Sequence, residues 1–213
     1  MKTDDLIAAL AADVEPVRRR AVGLRLALGL AAGMALSVVA MLLWLGLRPD
    51  LMPATHTMPF WMKFFYALTI AALGFALVDR LARPDGAGGT LAFLLFAPVA
   101  FMAAMALYRL MEAPPDARMP MMMGGSSRVC ARNIVVLSLP IFAGLFWSLR
   151  RLAPTRLVLA GAVAGVLAGA VGTFVYEFHC TESTAAFVAI WYTLGIALMG
   201  ALGAALGRVL LRW

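Results

Sequence analysis

Residues 24–47 read LRLALGLAAGMALSVVAMLLWLGL. After Arg25 the run holds no charged side chain. At a rise of about 1.5 Å per residue, one helix of this length covers the ~30 Å hydrocarbon core of a bilayer. A helix that is apolar all round has no water-facing side, so the run predicts a membrane span. Asp4, Asp5, Asp13 and Glu15 precede it, where a secretory signal would be positive. The apolar run is also longer than a signal core. The expectation is a retained anchor.

Five more runs of the same kind follow, at Phe60–Val78, Thr90–Met111, Ile134–Leu149, Leu157–Tyr176 and Thr184–Leu206. The fourth is short and contains Pro140, so an earlier start or a tilt is expected there. Of the 213 residues 63% are hydrophobic and 14% charged, with a mean hydropathy of +0.91. A soluble domain is about half apolar and a quarter charged. Once the spans are removed, the polar remainder is too small for a soluble catalytic core. The predicted fold is all-α: an integral membrane bundle of six transmembrane helices. Residues 1–22 form a short cytoplasmic tail with an amphipathic helix, and residues 23–213 form the membrane domain.

Lysine and arginine placement orients the bundle, because cytoplasmic loops carry the excess. Lys2, Arg18, Arg19, Arg20, Arg25, Arg80, Arg83, Arg150, Arg151, Arg156, Arg208 and Arg212 fall on one side. Arg48, Lys63, Arg109, Arg118, Arg128 and Arg132 fall on the other. The richer side is read as cytoplasmic, with both termini there, in an inner membrane. This placement also accounts for the net charge of +7 without nucleic acid as a partner. No basic stretch has interleaved aromatics or a recognition-helix pattern. Trp44, Trp61, Trp147 and Trp213 fall near span ends, where interfacial aromatics belong. Gly29 and Gly33, then Gly161, Gly165 and Gly169, then Gly203 and Gly207 recur four apart and mark helix-packing seams. The same seams would permit a homodimer.

The span interiors lack the ionisable residues that pumps and ion-coupled carriers need. Arg25, Lys63, Arg109 and Glu177 are read as lying near helix ends, where they snorkel. No GxSxG, HExxH or Gly-rich phosphate loop is present. Function therefore resides in the polar segments.

Residues 3–17 begin with Thr3, a candidate N-cap, and Asp4 and Asp5, suited to a helix N-terminus. Leu6, Ile7, Leu10 and Val14 share one helical face, and Pro16 ends or kinks the segment. So short a helix needs a surface for that face. The inner leaflet is anionic and selects basic helices, whereas this one is acidic. Docking into a groove of a cytoplasmic protein fits better than lying on lipid.

Cys130 is read in the third loop and Cys180 in the fifth, both facing the periplasm. Two cysteines on one oxidising face suit a disulfide, a metal site or a thiol switch. Glu177, His179 and Glu182 surround Cys180. Cys130, Cys180 and His179 are the ligands a soft or borderline ion such as copper or zinc would find. Met119, Met121, Met122 and Met123, with Met52, His56 and Met58, add thioethers and an imidazole on the same face, although such methionines also serve as adaptable apolar contacts. No cofactor is obligatory on this reading. A copper or other heavy-metal ion would bind transiently.

The opening Met-Lys-Thr-Asp-Asp-Leu-Ile with Asp13, Pro16 and Val17, the two cysteines, and the closing Leu-Gly-Arg-Val-Leu-Leu-Arg-Trp together resemble the NrsF-type family of bacterial membrane anti-sigma factors. The resemblance spans the whole chain. It implies six helices and a cytoplasmic N-terminus that holds an extracytoplasmic-function sigma factor. It also implies release under heavy-metal or redox stress through the cysteines. Carried across, the sigma-contacting residues are Asp4, Leu6, Ile7, Leu10, Asp13, Pro16 and Val17, and the sensing pair is Cys130 and Cys180. Two other readings compete. One is a periplasm-facing copper carrier or permease using the methionines and histidines. The other is a periplasmic thiol oxidoreductase, which the absence of a CxxC motif disfavours.

Overall fold

The computed structural model describes residues 3–12, 21–83, 86 and 89–212. Among them the regular structure is entirely helical. In order the helices are α1 (Thr3–Ala12), α2 (Ala21–Trp44), α3 (Leu51–Thr55), α4 (Met58–Leu81), α5 (Gly89–Leu94), α6 (Phe96–Glu112), α7 (Pro115–Met123), α8 (Ser127–Leu149), α9 (Leu157–Glu177), α10 (Ala185–Phe187) and α11 (Thr193–Leu210). A π-helical turn, Val188–Tyr192, joins α10 to α11. Six segments are long and apolar enough to cross a membrane: α2, α4, Gly89–Glu112, Pro115–Leu149, α9 and Ala185–Leu210.

The bundle is organised around α9, the most buried of the six. Its glycines explain why. A Cβ at Gly161 or Gly165 would strike the backbone of α11 at Gly203 or Met199. Gly207 lies as close to the Leu157 carbonyl. Without side chains between them the two backbones pack directly, the geometry that small residues four apart permit. A second seam joins α2 to α8, where Gly29 faces Gly144 and Gly33 faces Ile141. These seams are occupied within one chain, so they offer no glycine face to a second copy. Buried Ser138 and Thr173 return their hydroxyls to the carbonyls of Ile134 and Gly169, four residues back in their own helices.

The third span is different. Only 11% of its apolar window is buried, against 72% for α9. It packs mainly at its C-terminal end, against α10 and the π turn.

Two expectations are corrected. The fourth span begins well before Ile134: α8 starts at Ser127, so Cys130 lies inside a helix rather than in a loop. Its start is held by a carboxylate from a distant segment, described below, which no local signal in the chain announces. Second, Lys63 and Glu177 do not snorkel. They are 1% and 0% exposed, turned into the bundle. Arg25, by contrast, stays near its helix end, with its guanidinium 5.6 Å from the Trp147 ring centroid.

The helix ends sort into two faces. Ser148 donates to the Arg25 carbonyl at 3.0 Å, which ties the end of α8 to the start of α2. Arg80, Arg83, Arg150, Arg151, Arg156, Arg208 and Arg212 gather at this end. Both cysteines lie at the other.

Candidate functional site

Cys180 sits in the turn between α9 and α10, and Cys130 lies at the start of α8. Both are buried and both are free thiols. Both belong to one buried cluster, and the Cys130 thiol is the leading polar influence on the Cys180 sulfur. Helix packing thus brings the two predicted sensing residues together.

Three devices hold them there. Glu182, two residues past Cys180, reaches the chain just ahead of α8. Its Oε1 accepts the Gly125 N–H at 2.7 Å, the Ser126 N–H at 3.0 Å and the Ser126 hydroxyl at 3.1 Å. A carboxylate is favoured there because a helix N-terminus leaves donors unpaired and carries positive potential. Gly124 makes room for it. Its φ is +54°, and an added Cβ would lie 2.6 Å from the Glu182 carboxyl carbon.

The second device is cationic. Arg48 grips Asp50 with two hydrogen bonds of 2.8 Å and donates its Nη1 to the Cys180 carbonyl at 3.0 Å. This pairing holds the Asp50 carboxyl below its ordinary range and raises Arg48. Lys63 donates to the same Cys180 carbonyl at 3.1 Å and lies 5.9 Å from the Tyr192 ring centroid.

The third device is the aromatic wall of Tyr176 and Tyr192, with ring centroids 6.2 Å apart. Tyr192 ends the π-helical turn and is fully buried beside Cys180, its hydroxyl without a geometric hydrogen-bond partner among the described residues. Single π turns inside long helices commonly re-aim a side chain at a functional position.

The Cys130 thiol, helped by the Lys63 charge and the Tyr192 hydroxyl, outweighs burial and brings the Cys180 thiol down to about 6. Its thiolate is therefore the dominant form at neutral pH. A pocket of about 290 Å³, lined by Arg48, Ser126, Tyr176, His179 and Thr181, reaches Cys180. Glu177, at the end of α9, has both carboxylate oxygens without a hydrogen-bond partner among the described residues, with Lys63 and Arg48 as the facing cations.

His179 gives its Nδ1 to the Gly46 carbonyl at 3.0 Å. Among the described residues no group of three or more His, Cys, Asp or Glu side chains is placed to hold an ion. Of the methionines, Met121 and Met122 act through their backbone: their carbonyls accept from Thr184 at 2.6 Å and Trp191 at 3.0 Å. Met52, Met58, Met119 and Met123 present exposed side chains, and His56 is exposed too.

Arg48, Lys63 and Tyr192 were not legible as site residues, whereas Glu182 already stood beside Cys180 in the sequence. The one signal that could have found Lys63 was a lone lysine within an apolar span.

At the N-terminus, every residue of α1 is exposed. Leu6, Ile7 and Leu10 are 43%, 59% and 66% exposed, and Asp4 and Asp5 occupy the first turn. Asp13, Pro16 and Val17, with Val14 and Glu15, lie outside the described residues.

The family model described as "Negative regulator of sigma F" matches residues 10–213. The chain belongs to the NrsF family. The curated "Anti-sigma-F factor NrsF" of Caulobacter vibrioides (strain NA1000 / CB15N) is 40% identical over 215 residues, covering all of both chains. The "Probable anti-sigma-F factor NrsF" of Azospira oryzae (strain ATCC BAA-33 / DSM 13638 / PS) is 40% identical over 213 residues, again end to end. No solved structure matches. Membership in NrsF makes this chain a regulator rather than an enzyme, and it sets aside the carrier and oxidoreductase readings.

Proposed function

We propose that this chain is an inner-membrane anti-sigma factor with both termini in the cytoplasm. It holds an extracytoplasmic-function sigma factor through α1 and releases it when the Cys130–Cys180 pair reacts. Both curated relatives are named anti-sigma-F factors. The observation that carries the binding half is α1 itself. Leu6, Ile7 and Leu10 are uncovered on a helix too short to persist alone in water, so a protein groove is their natural complement. Asp4 and Asp5, with Asp13 and Glu15 beyond, ask for basic residues around that groove.

The sensing half rests on the thiol pair. Oxidation of the pair joins the Cys180 thiolate to the Cys130 thiol in one S–S bond, passing two electrons to the oxidant and releasing the one remaining proton, that of Cys130. Capture of a thiophilic metal ion by the two sulfurs displaces the same proton. Either event alters the contact between the start of α8 and the α9–α10 turn, and the bundle repacks toward its arginine end, where α2 connects to the tail. The stimulus shifts the equilibrium only by its differential affinity for the two packings.

The test is co-purification of the sigma factor with the full-length protein from membranes. Capture is expected for the wild type, with loss for Leu10→Asp. A Cys130→Ser, Cys180→Ser double variant is expected to keep its sigma factor under oxidant or metal. Capture unaffected by Leu10→Asp would remove α1 from the interface. Release from the double variant would remove the thiols from sensing.

A further inference from the structure

The weak packing of the third span leaves a cleft between it and α4. Along α4 the cleft is lined by Trp61, Phe65, Thr69 and Leu73, and across from them by Pro98 and Phe101, with a volume of about 700 Å³. A second pocket of about 360 Å³ continues it at the cysteine end, where Met58, Met62 and Met105 line both. The lining of this second pocket is completed by Pro59, Arg109, Met121 and Ser183 to Ala185. From Met58 to Leu73 the cleft follows α4 for about 22 Å, the depth of one leaflet plus its headgroup layer.

Its chemistry is graded. The deep part is hydrocarbon and aromatic, with Phe65 and Phe101 more than half exposed along it. The outer part ends on a cation. Arg109 is exposed and forms no ion pair among the described residues. Its neighbouring acid, Glu112, forms no ion pair with it. A long apolar slot that ends on an unpaired guanidinium is complementary to an acyl chain joined to a phosphate.

We propose that this cleft binds one anionic phospholipid of the leaflet at the cysteine end, its chain between α4 and the third span and its phosphate on Arg109. The proposal rests on the membrane reading above. It also places the lipid against the strap that follows Cys180. Thr184, whose hydroxyl holds the Met121 carbonyl at 2.6 Å, lines the headgroup end. The lipid thereby braces the third span and the cysteine turn together.

The experiment is native mass spectrometry of the full-length protein in detergent, titrated with dioleoyl-phosphatidylglycerol or dioleoyl-phosphatidylcholine. The expected result is one phosphatidylglycerol retained at least threefold better than phosphatidylcholine. Arg109→Ala is expected to erase that preference, and Ala97→Phe, which fills the slot, to abolish retention of both. Glycerol 3-phosphate, which lacks the chain, is expected not to compete. Equal retention of the two lipids by the wild type, or an unchanged preference in Arg109→Ala, overturns the proposal. So does a second protein copy in place of the lipid. Carbonate extraction of the membranes separates the two claims: a chain that is extracted fails the membrane reading itself. A chain that resists extraction but shows no lipid preference fails only the lipid site.

Discussion

The ammonium of Lys63 donates to the backbone carbonyl of Cys180 at 3.1 Å, across 117 residues of chain. Lysine is rarely buried without a partner. Here it has a carbonyl, the Tyr192 ring and the facing carboxylate of Glu177. The turn that carries the reactive thiol is thus pinned by charge inside a bundle that is otherwise apolar.

Removing one member of this arrangement leaves the other charge uncompensated. Lys63→Met is expected to destabilise the protein by roughly 1–3 kcal/mol, because the buried Cys180 carbonyl loses a donor and Glu177 loses its facing cation. Glu177→Gln in the same background is expected to restore much of the loss, giving a clear coupling energy in a double-mutant cycle. Thermal unfolding in detergent reads both. Additive single effects would show that the two charges do not interact.

Cys180 is expected to react as a thiolate, forming a methyl disulfide and releasing methanesulfinate, far below the pH at which ordinary thiols react. With its value lowered to about 6 from an ordinary 9.0, the rate with methyl methanethiosulfonate should be half-maximal near pH 6. Because the folded value is the depressed one, the thiolate's stabilisation is complete above the unfolded value and fades as pH falls through 6. Cys130→Ala removes the leading cause, so its midpoint is expected to move upward. Peptide mass mapping of the label at each pH checks both, and an unmoved midpoint would exclude the Cys130 thiol as the cause.

Glu182 is expected to matter for Cys130 more than for exposure or charge. Glu182→Ala strips one carboxylate oxygen from three donors ahead of α8. The expected loss is about 1.5–3 kcal/mol, the range for hydrogen bonds to a charged group. Hydrogen exchange should rise first at residues 125–130. Protection unchanged there would mean that the helix start is held by something else.

The α9–α11 seam is expected to reject even a methyl group. Gly161→Ala drives its Cβ into the Gly203 carbonyl, backbone against backbone, so the helices must part. The expected cost is about 1–3 kcal/mol by overpacking. At Gly46 nothing lies within 4 Å of an added Cβ, and only its φ of +74° resists. Gly46→Ala should therefore cost only about 1–2 kcal/mol, with no change in helix packing. Melting temperature and interhelical crosslinking distinguish the two.

How much was legible in the chain depends on the range of the interaction. Residues 24–47 declared a span because hydropathy is a sum over neighbours. Gly161, Gly165 and Gly169 declared a seam because their spacing repeats on one helix, although their partners Gly203 and Met199 were not written beside them. Cys130 was misread as loop because the carboxylate that supports its helix start belongs to Glu182, in a later segment. Lys63 was misread as snorkelling because a lysine near a helix end faces either water or the bundle, depending on how its helix is rotated.

The amino-acid sequence alone determined the six apolar helices, the gathering of arginines at one set of helix ends, and a short acidic helix with an apolar stripe at the start. Each follows from the local balance of apolar area and charge, which a helix carries with it into any surroundings. Only the tertiary structure decided that Cys130 meets Cys180, that Lys63 and Arg48 share one carbonyl, and that the third span stands apart from α4. Those outcomes depend on helix rotation and depth, which the backbone-to-backbone glycine contacts fix across distant parts of the chain.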